Sequence, residues 1–326
     1  MKALVFSGAR IAGIKDLVVP RPGRGEVLIR SRRVGICHSD FELLADRYII
    51  PFSYPVVPGH EWAGEVAEVG EGVTDFEPGD RVVGECVVGP GGKDHFGFSI
   101  SGAAAEYFVA RAEWLHKVPE TMSYTTAALV EPFSVAYNAT RAATVDPSDR
   151  VAVLGGGPIG LLTAMASLGR GACVVMVEPR EDRRAKALEI GVHAAVDPAE
   201  VEKSPEVLAM TGDGTFDVVL ETAGHPAAMA NALRLARVGG RVVYVGIDVA
   251  RSAEVPLGLI QAKALKIEGI IGSVGIWPET IRFLASGVID PTVLVTGVYP
   301  LERAEEALAA ASGSSGNIKI HFEVGE

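Results

Sequence analysis

Two short stretches of the chain, Cys37-His38-Ser39-Asp40 and Gly59-His60-Glu61, bring a thiol, imidazoles and carboxyls close together. These are the donors Zn²⁺ prefers, and a catalytic zinc takes three of them and keeps one position open. Twenty-two residues lie between Cys37 and His60, so this is not a zinc-finger pattern. Each residue alone has an ordinary alternative, since an isolated cysteine usually packs as a small hydrophobe. A second cluster, Gly155-Gly156-Gly157-Pro158-Ile159-Gly160, satisfies G-x-G-x-x-G directly after the apolar run Val151-Ala152-Val153-Leu154. In that context Gly155 permits a tight turn and Gly157 lets backbone approach a pyrophosphate on the positive helix N-terminus. Gly160 allows close helix–strand packing. Glu178 lies eighteen positions beyond Gly160, directly after Val174-Val175-Met176-Val177. A carboxylate there hydrogen-bonds the adenosine ribose hydroxyls and repels a 2′-phosphate, which favours NAD over NADP. Arg180, Arg183 and Arg184 follow closely, and arginines nearby can accept that phosphate. The plainer alternative is that Glu178 caps the next helix.

These residues need elements to hold them. Up to about residue 130 the chain reads as β-structure, with short apolar runs such as Glu26–Arg30 separated by Pro20-Arg21-Pro22-Gly23, Pro58-Gly59 and Pro78-Gly79-Asp80. The texture changes near Asp146-Pro147-Ser148-Asp149. Beyond it, strands Val151–Leu154, Cys173–Val177, Phe216–Leu220 and Arg241–Val245 alternate with helices to Leu168, over Arg180–Ile190 and over about Pro226–Leu235. Alternating βαβ units with buried apolar strands predict an α/β fold with a doubly wound parallel sheet. The tail carries helices near Pro278–Ala285 and Leu301–Ala311 and a last strand, Ile318–Phe322.

Composition narrows the function classes. Hydrophobic residues make up 48% of 326, so the 38 glycines signal turns and close backbone approaches rather than disorder. A net charge of −11 without a basic run argues against a nucleic-acid partner. Three cysteines, Cys37, Cys86 and Cys173, are too few and scattered for a disulfide framework, so a reducing, cytoplasmic setting is expected. Met1–Phe6 reads as a strand and not as a signal peptide. Val151–Gly169 carries no charge and nears the length of a membrane span, but Gly155–Pro158 would break such a helix, so no membrane partner is expected.

Gly35–Asp40, Pro58–Val66 and Pro78–Val82 together resemble the zinc-dependent medium-chain dehydrogenase/reductase (alcohol dehydrogenase) family. Ala128-Leu129-Val130-Glu131-Pro132-Phe133-Ser134-Val135 is similar to its sorbitol (polyol) dehydrogenase branch, as are Trp277-Pro278 through Val295-Thr296 and Tyr299–Ala304. The likeness runs through nearly the whole chain in family order. It implies a GroES-like catalytic domain over residues 1–133, a Rossmann NAD-binding domain over 134–272, and a return segment over 273–326. It implies zinc held by Cys37, His60 and Glu61, with Glu131 reaching the metal directly or through its water; which carboxylate ligates stays open. Ser39 matches the hydroxyl that passes the substrate proton, and Asp40 the carboxylate that orients the ligand histidine. His38 and Arg183 match positions near the pyrophosphate and adenosine ribose. Ile159, Val245-Gly246-Ile247 and Ile271-Gly272-Ser273 match the lining of the cofactor groove. The implied reaction moves a hydride between a small alcohol or its ketone and NAD, in a homo-oligomer (a dimer or tetramer).

The chain also departs from that family. Relatives often carry four cysteines after the Pro-Gly-Asp-Arg-Val segment for a structural zinc. Here Gly84–His95 is short and holds Cys86 alone, so no structural zinc is expected, and Cys86 reads as a packed thiol and His95 as a solvated loop histidine. Glu42 replaces the usual relay histidine. Leu43, Gly272 and Ser273 replace an aromatic and an Arg-Tyr pair of polyol dehydrogenases, which counts against sorbitol itself and suggests a roomier pocket for a ring-shaped or substituted substrate. Tyr54–Trp62 is similar to aminocyclitol dehydrogenases, pointing to a cyclitol or amino sugar. Two other functions fit parts of the pattern: a zinc-free quinone-reductase-like enzyme, and a non-catalytic NAD-binding protein. The first would lack the Cys37/His60/Glu61 set.

Overall fold

Residues with apolar side chains on both faces need cover on both, and the chain supplies it in two compact units, each with its own core. The computed structural model describes all residues except Tyr48, Val274, Ser314, Ser315 and Glu326. One unit comprises Met1–Glu131 with Val274–Glu326, the other Pro132–Ser273.

In the first unit the ten-residue strand Glu26–Gly35 is the organising element. It pairs antiparallel with Glu61–Val69 on one side and with Lys319–Glu323 on the other. The sheet continues through Arg81–Gly84 to Leu115–Lys117 at one edge and ends at Val295–Pro300 at the other, while Tyr107–Arg111 pairs the start of Glu26–Gly35. Gly35 sits opposite Glu61 in one ladder and opposite His321 in the other, so this register carries Glu61 to within two residues of Cys37. Phe6, Ile29, Val34, Trp62, Phe96 and Phe108 form part of the core. The β reading of this half misses two short helices. His38–Leu44 begins where the Asp40 carboxylate accepts the Cys37 N–H at 2.8 Å, and Tyr124–Ala128 where Ser123 Oγ accepts the Thr126 N–H at 3.0 Å. Both are too short to show a helical period, and their caps are the signal.

In the second unit, six parallel strands run in the order Ala194–Val196, Cys173–Val177, Arg150–Leu154, Phe216–Glu221, Ala236–Tyr244, Lys266–Gly269. Numbered along the chain this is 3-2-1-4-5-6, the order of dinucleotide-binding sheets, in which the crevice opens at the C-terminal ends of strands one and four. Helices Pro158–Gly169, Glu181–Glu189 and Pro226–Leu235 lie in the expected places. The three-residue strand Ala194–Val196, the helix Pro205–Thr211 and the charged strand Lys266–Gly269 escape pattern reading. Among the described residues no helix is long and apolar enough to cross a membrane.

Candidate active site

Cys37 follows the end of Glu26–Gly35 and caps the helix His38–Leu44, and Glu61 opens the strand Glu61–Val69. His60 is aimed by Gly59, whose φ of +97° only glycine adopts readily; a Cβ there would lie 2.7 Å from Val34 Cγ1 and 2.9 Å from Ala104 N. The sulfur of Cys37, a ring nitrogen of His60 and a carboxylate oxygen of Glu61 lie within 4.8 Å of one another. His60 and Glu61 are buried. Ser39 Oγ lies 3.4 Å from His60 Nε2, and Asp40 Oδ1 lies 3.7 Å from Nδ1. Phe98 covers the ring face, with centroids 4.8 Å apart.

The electrostatics fit a cation. Burial opposes protonation of His60, yet the neighbouring Cys37 and the Asp40 and Glu131 charges push it up to about 10, so this pocket favours positive charge. Glu131, in the first turn of the helix Val130–Ala142, is pushed up to about 7 by loss of water and by the Glu61 and Asp40 carboxyls, against the pull of His60 and Lys319. A soft thiol, a borderline imidazole and a hard carboxylate oxygen, two of the three buried, match the mixed donor set of a catalytic zinc. The three-donor set meets at close range without Glu131, which acts on His60 through its charge.

Other expected residues fall elsewhere. His38 is exposed and, with Arg47, engages Glu42, at 3.3 and 2.8 Å. Leu43 is fully buried in the core, and its carbonyl accepts from the Tyr54 hydroxyl. The segment after Arg81–Gly84 forms a small hairpin, Val87–Val88 with Asp94–His95. Phe96 anchors it against Trp62 and Phe108 at 5.9 and 5.5 Å. Cys86 Sγ lies 3.9 Å from the Phe96 carbonyl. His95 is a half-buried strand residue rather than a solvated loop one, because pairing with Val87 draws it inward, and burial lowers its pKa. Lys319, buried against Glu61, is absent from the residues that composition and spacing single out. Its signal is present: Ile318–Phe322 alternates, but the strand runs between two neighbours and is buried on both faces, so the polar face cannot be solvent.

In the second unit the glycine pattern is used as its spacing suggests. Gly155 has φ +103°, and a Cβ on Gly160 would lie 1.8 Å from the Gly155 carbonyl. Gly157 caps the helix Pro158–Gly169 and meets nothing within 4 Å, leaving open space at the helix N-terminus. Glu178 is buried; its carboxylate accepts the Gly156 N–H at 2.6 Å and the Arg180 N–H at 2.9 Å, bridging the loop to the next helix. Arg183 lies over the loop, its Cβ 3.1 Å from where a Gly156 Cβ would stand. Val245 and Gly246 donate to the Glu221 carbonyl at 2.8 and 3.1 Å. Ile247 and Ile271 are exposed, whereas Ser273 is buried on Ser134, and the Gly272 carbonyl accepts from Asn138 at 3.1 Å. A cavity of about 440 Å³ opens beside this loop, lined by Gly155, Glu178, Pro198, Ala223, His225 and Asn231 among others. That volume falls in the range of small-molecule sites.

Comparison with known proteins agrees with both units. Residues 23–120 match the family model of the alcohol dehydrogenase GroES-like domain, and residues 158–286 that of the zinc-binding dehydrogenases. A sorbitol dehydrogenase from Bacillus subtilis is 33% identical over 95% of this chain and 93% of its own. The (R,R)-butanediol dehydrogenase of the same organism is 33% identical over 98% and 99%. Among solved structures, a zinc-binding dehydrogenase from Sinorhizobium meliloti bound to NADP superposes with a TM-score of 0.90 at 26% identity, covering 99% of this chain and 98% of that one. An alcohol dehydrogenase from Escherichia coli in complex with NADH gives 0.90 at 27% identity, covering 99% of both.

Proposed function

The chain belongs to the zinc-dependent medium-chain dehydrogenase/reductase family, a GroES-like and Rossmann-fold family of alcohol and polyol dehydrogenases, and from this we propose that it oxidises a secondary alcohol of a polyol or cyclitol with one catalytic zinc and NAD. The observation that carries the reading is the convergence of Cys37, His60 and Glu61 within 4.8 Å in a pocket that favours positive charge. These three residues would hold the zinc, with Glu131 beside them, and the bound metal would supply Lewis acidity to an alcohol oxygen. Asp40 places its carboxylate 3.7 Å from His60 Nδ1, where a small closing movement would let it accept the ring N–H and orient the imidazole. Ser39, with its Oγ 3.4 Å from His60 Nε2, would take the proton the alcohol loses as it gives up its own hydroxyl proton outward. With Glu42 engaged by Arg47 and His38, that proton leaves from Ser39 to water. The residues 1–133 and 273–326 form the catalytic domain and 134–272 the cofactor domain.

NAD is favoured over NADP because the Glu178 carboxylate closes the second strand beside the glycine-rich loop, where a 2′-phosphate would meet its charge. The NADP complex of a relative at 26% identity makes that preference worth measuring directly. The single cysteine of the lobe after Gly84 supports one metal per chain, and the exposed edge strand Lys266–Gly269 supports a homo-oligomer.

The test is metal analysis together with alcohol-dependent NADH formation across polyols, cyclitols and simple secondary alcohols. About one zinc per chain is expected, with NAD preferred over NADP. Cys37→Ser should lose the metal and turnover together while still binding NAD. A parent that is active without metal would turn the assignment toward a zinc-free reductase. Tight cofactor binding with no turnover on any substrate, unchanged in Cys37→Ser, would favour a non-catalytic protein.

A further inference from the structure

Lys319 lies on a strand held between Val295–Pro300 and Glu26–Gly35 and is only 4% exposed. Its ammonium forms an ion pair with Glu61, which is 1% exposed. Stripping an ammonium of water is strongly unfavourable unless an opposing charge faces it, so the pairing is a condition of burying this lysine. Gly35 keeps the space for the pair open. A Cβ there would lie 2.3 Å from Glu61 Oε2 and 3.3 Å from Lys319 Cε, so any larger residue would force the two groups to move. Glu61 is also one of the three donors that gather within 4.8 Å. One carboxylate thus belongs to a cation-binding set and is at the same time paired with a fixed cation.

We propose that Lys319 is a positioning residue whose ammonium competes with the bound metal for Glu61, keeping that carboxylate a weakly held, exchangeable ligand. This rests on the metal-centre assignment above. A ligand that lets go easily leaves the position that an incoming alcohol oxygen needs. Two effects work in the same direction when the lysine charge is removed. The dication no longer meets a like charge nearby, and both oxygens of Glu61 become free to bind it. Removing the charge therefore tightens metal binding. A lysine that served only to pack the strand would do the reverse, since its loss would loosen the ladder that aligns Gly35 with Glu61.

The experiment is competition of zinc-loaded protein against a chromophoric chelator, for the parent and for Lys319→Met, Lys319→Gln and Lys319→Arg. Lys319→Met keeps the length of the side chain and loses its charge, and it should hold zinc at least about tenfold more tightly than the parent. Lys319→Gln should shift the same way, and Lys319→Arg, which keeps the charge, should stay close to the parent. Zinc affinity equal to or below the parent's in whichever neutral variant folds overturns the inference. Failure of both neutral variants to fold, with Lys319→Arg folded, assigns the lysine a structural role and overturns it as well. A parent that binds no zinc refutes the metal centre instead, and is told apart by that first measurement.

Discussion

At the scale of single residues, Glu221 shows how burial turns an ordinary side chain into a titrating switch. Its carboxyl is fully buried at the end of Phe216–Glu221 and accepts the N–H groups of Ala223 and Gly224 at 2.9 and 3.0 Å. Those bonds fix the turn that packs on the glycine-rich loop, where a Gly155 Cβ would lie 2.9 Å from Ala223. Burial nonetheless pushes the carboxyl up to about 7, outweighing the two backbone donors. A folded pKa above the unfolded one means the native state binds the proton more tightly. Stability is then greatest below the unfolded value near 4.5 and declines as pH rises toward 7. Urea titrations at pH 5 and pH 8 should show Glu221→Gln losing less stability than the parent, by at most about 3 kcal/mol, the rest of the parent's loss coming from other raised groups such as Glu131. Equal losses for the two proteins would remove the explanation. Nothing in the sequence separates Glu221 from a solvated strand-end carboxylate, and Lys319 is hidden for the same reason: tertiary neighbours decide which charges lose water. Cys37 and His60 are legible because cysteine and histidine are scarce here, three and seven in the chain, and Glu61 only because it adjoins His60 in a run that resembles a known family; their meeting across strands is not written in their spacing.

At the scale of elements, what the sequence reveals follows from how each strand is covered. Cys173–Val177 and Phe216–Leu220 announce themselves as apolar runs because both faces are buried. Lys266-Ile267-Glu268-Gly269 does not, because all four residues are exposed at the sheet edge beyond Ala236–Tyr244. An exposed edge presents unpaired backbone groups, and such edges are covered, blunted or paired with another chain. Ile267 and Ile271 stand exposed here at 39% and 72%, an apolar flank suited to a second copy related by a two-fold axis. Light scattering at assay concentration should therefore report a dimer or tetramer, and Ile267→Lys combined with Ile271→Lys should shift it toward monomer. A monomeric parent would end this proposal. Elsewhere an aromatic group does the anchoring: Phe96 ties the hairpin after Gly84 to Trp62 and Phe108, a contact that only folding reveals.

At the scale of the whole molecule, the candidate metal donors and the candidate cofactor loop belong to different compact units. Cys37, His60, Glu61 and Glu131 fall in the first, and Gly155–Gly160 with Glu178 in the second. Each unit has its own apolar core, around Phe6, Ile29 and Phe108 in one and Leu154, Val175 and Phe216 in the other, so each has its own driving force for folding. A ligand stabilises the unit that binds it, by about 2.7 kcal/mol at a concentration one hundred times its dissociation constant. Zinc and NAD should therefore act on separable transitions in calorimetry. Chelating the metal should lower one transition and leave the other in place, while NAD should raise the one that chelation spares. Cys37→Ser should imitate chelation without altering the response to NAD. A single transition that both ligands move together would mean that the units unfold as one cooperative body, and the assignment of each ligand to its own unit would then have to rest on mutants alone.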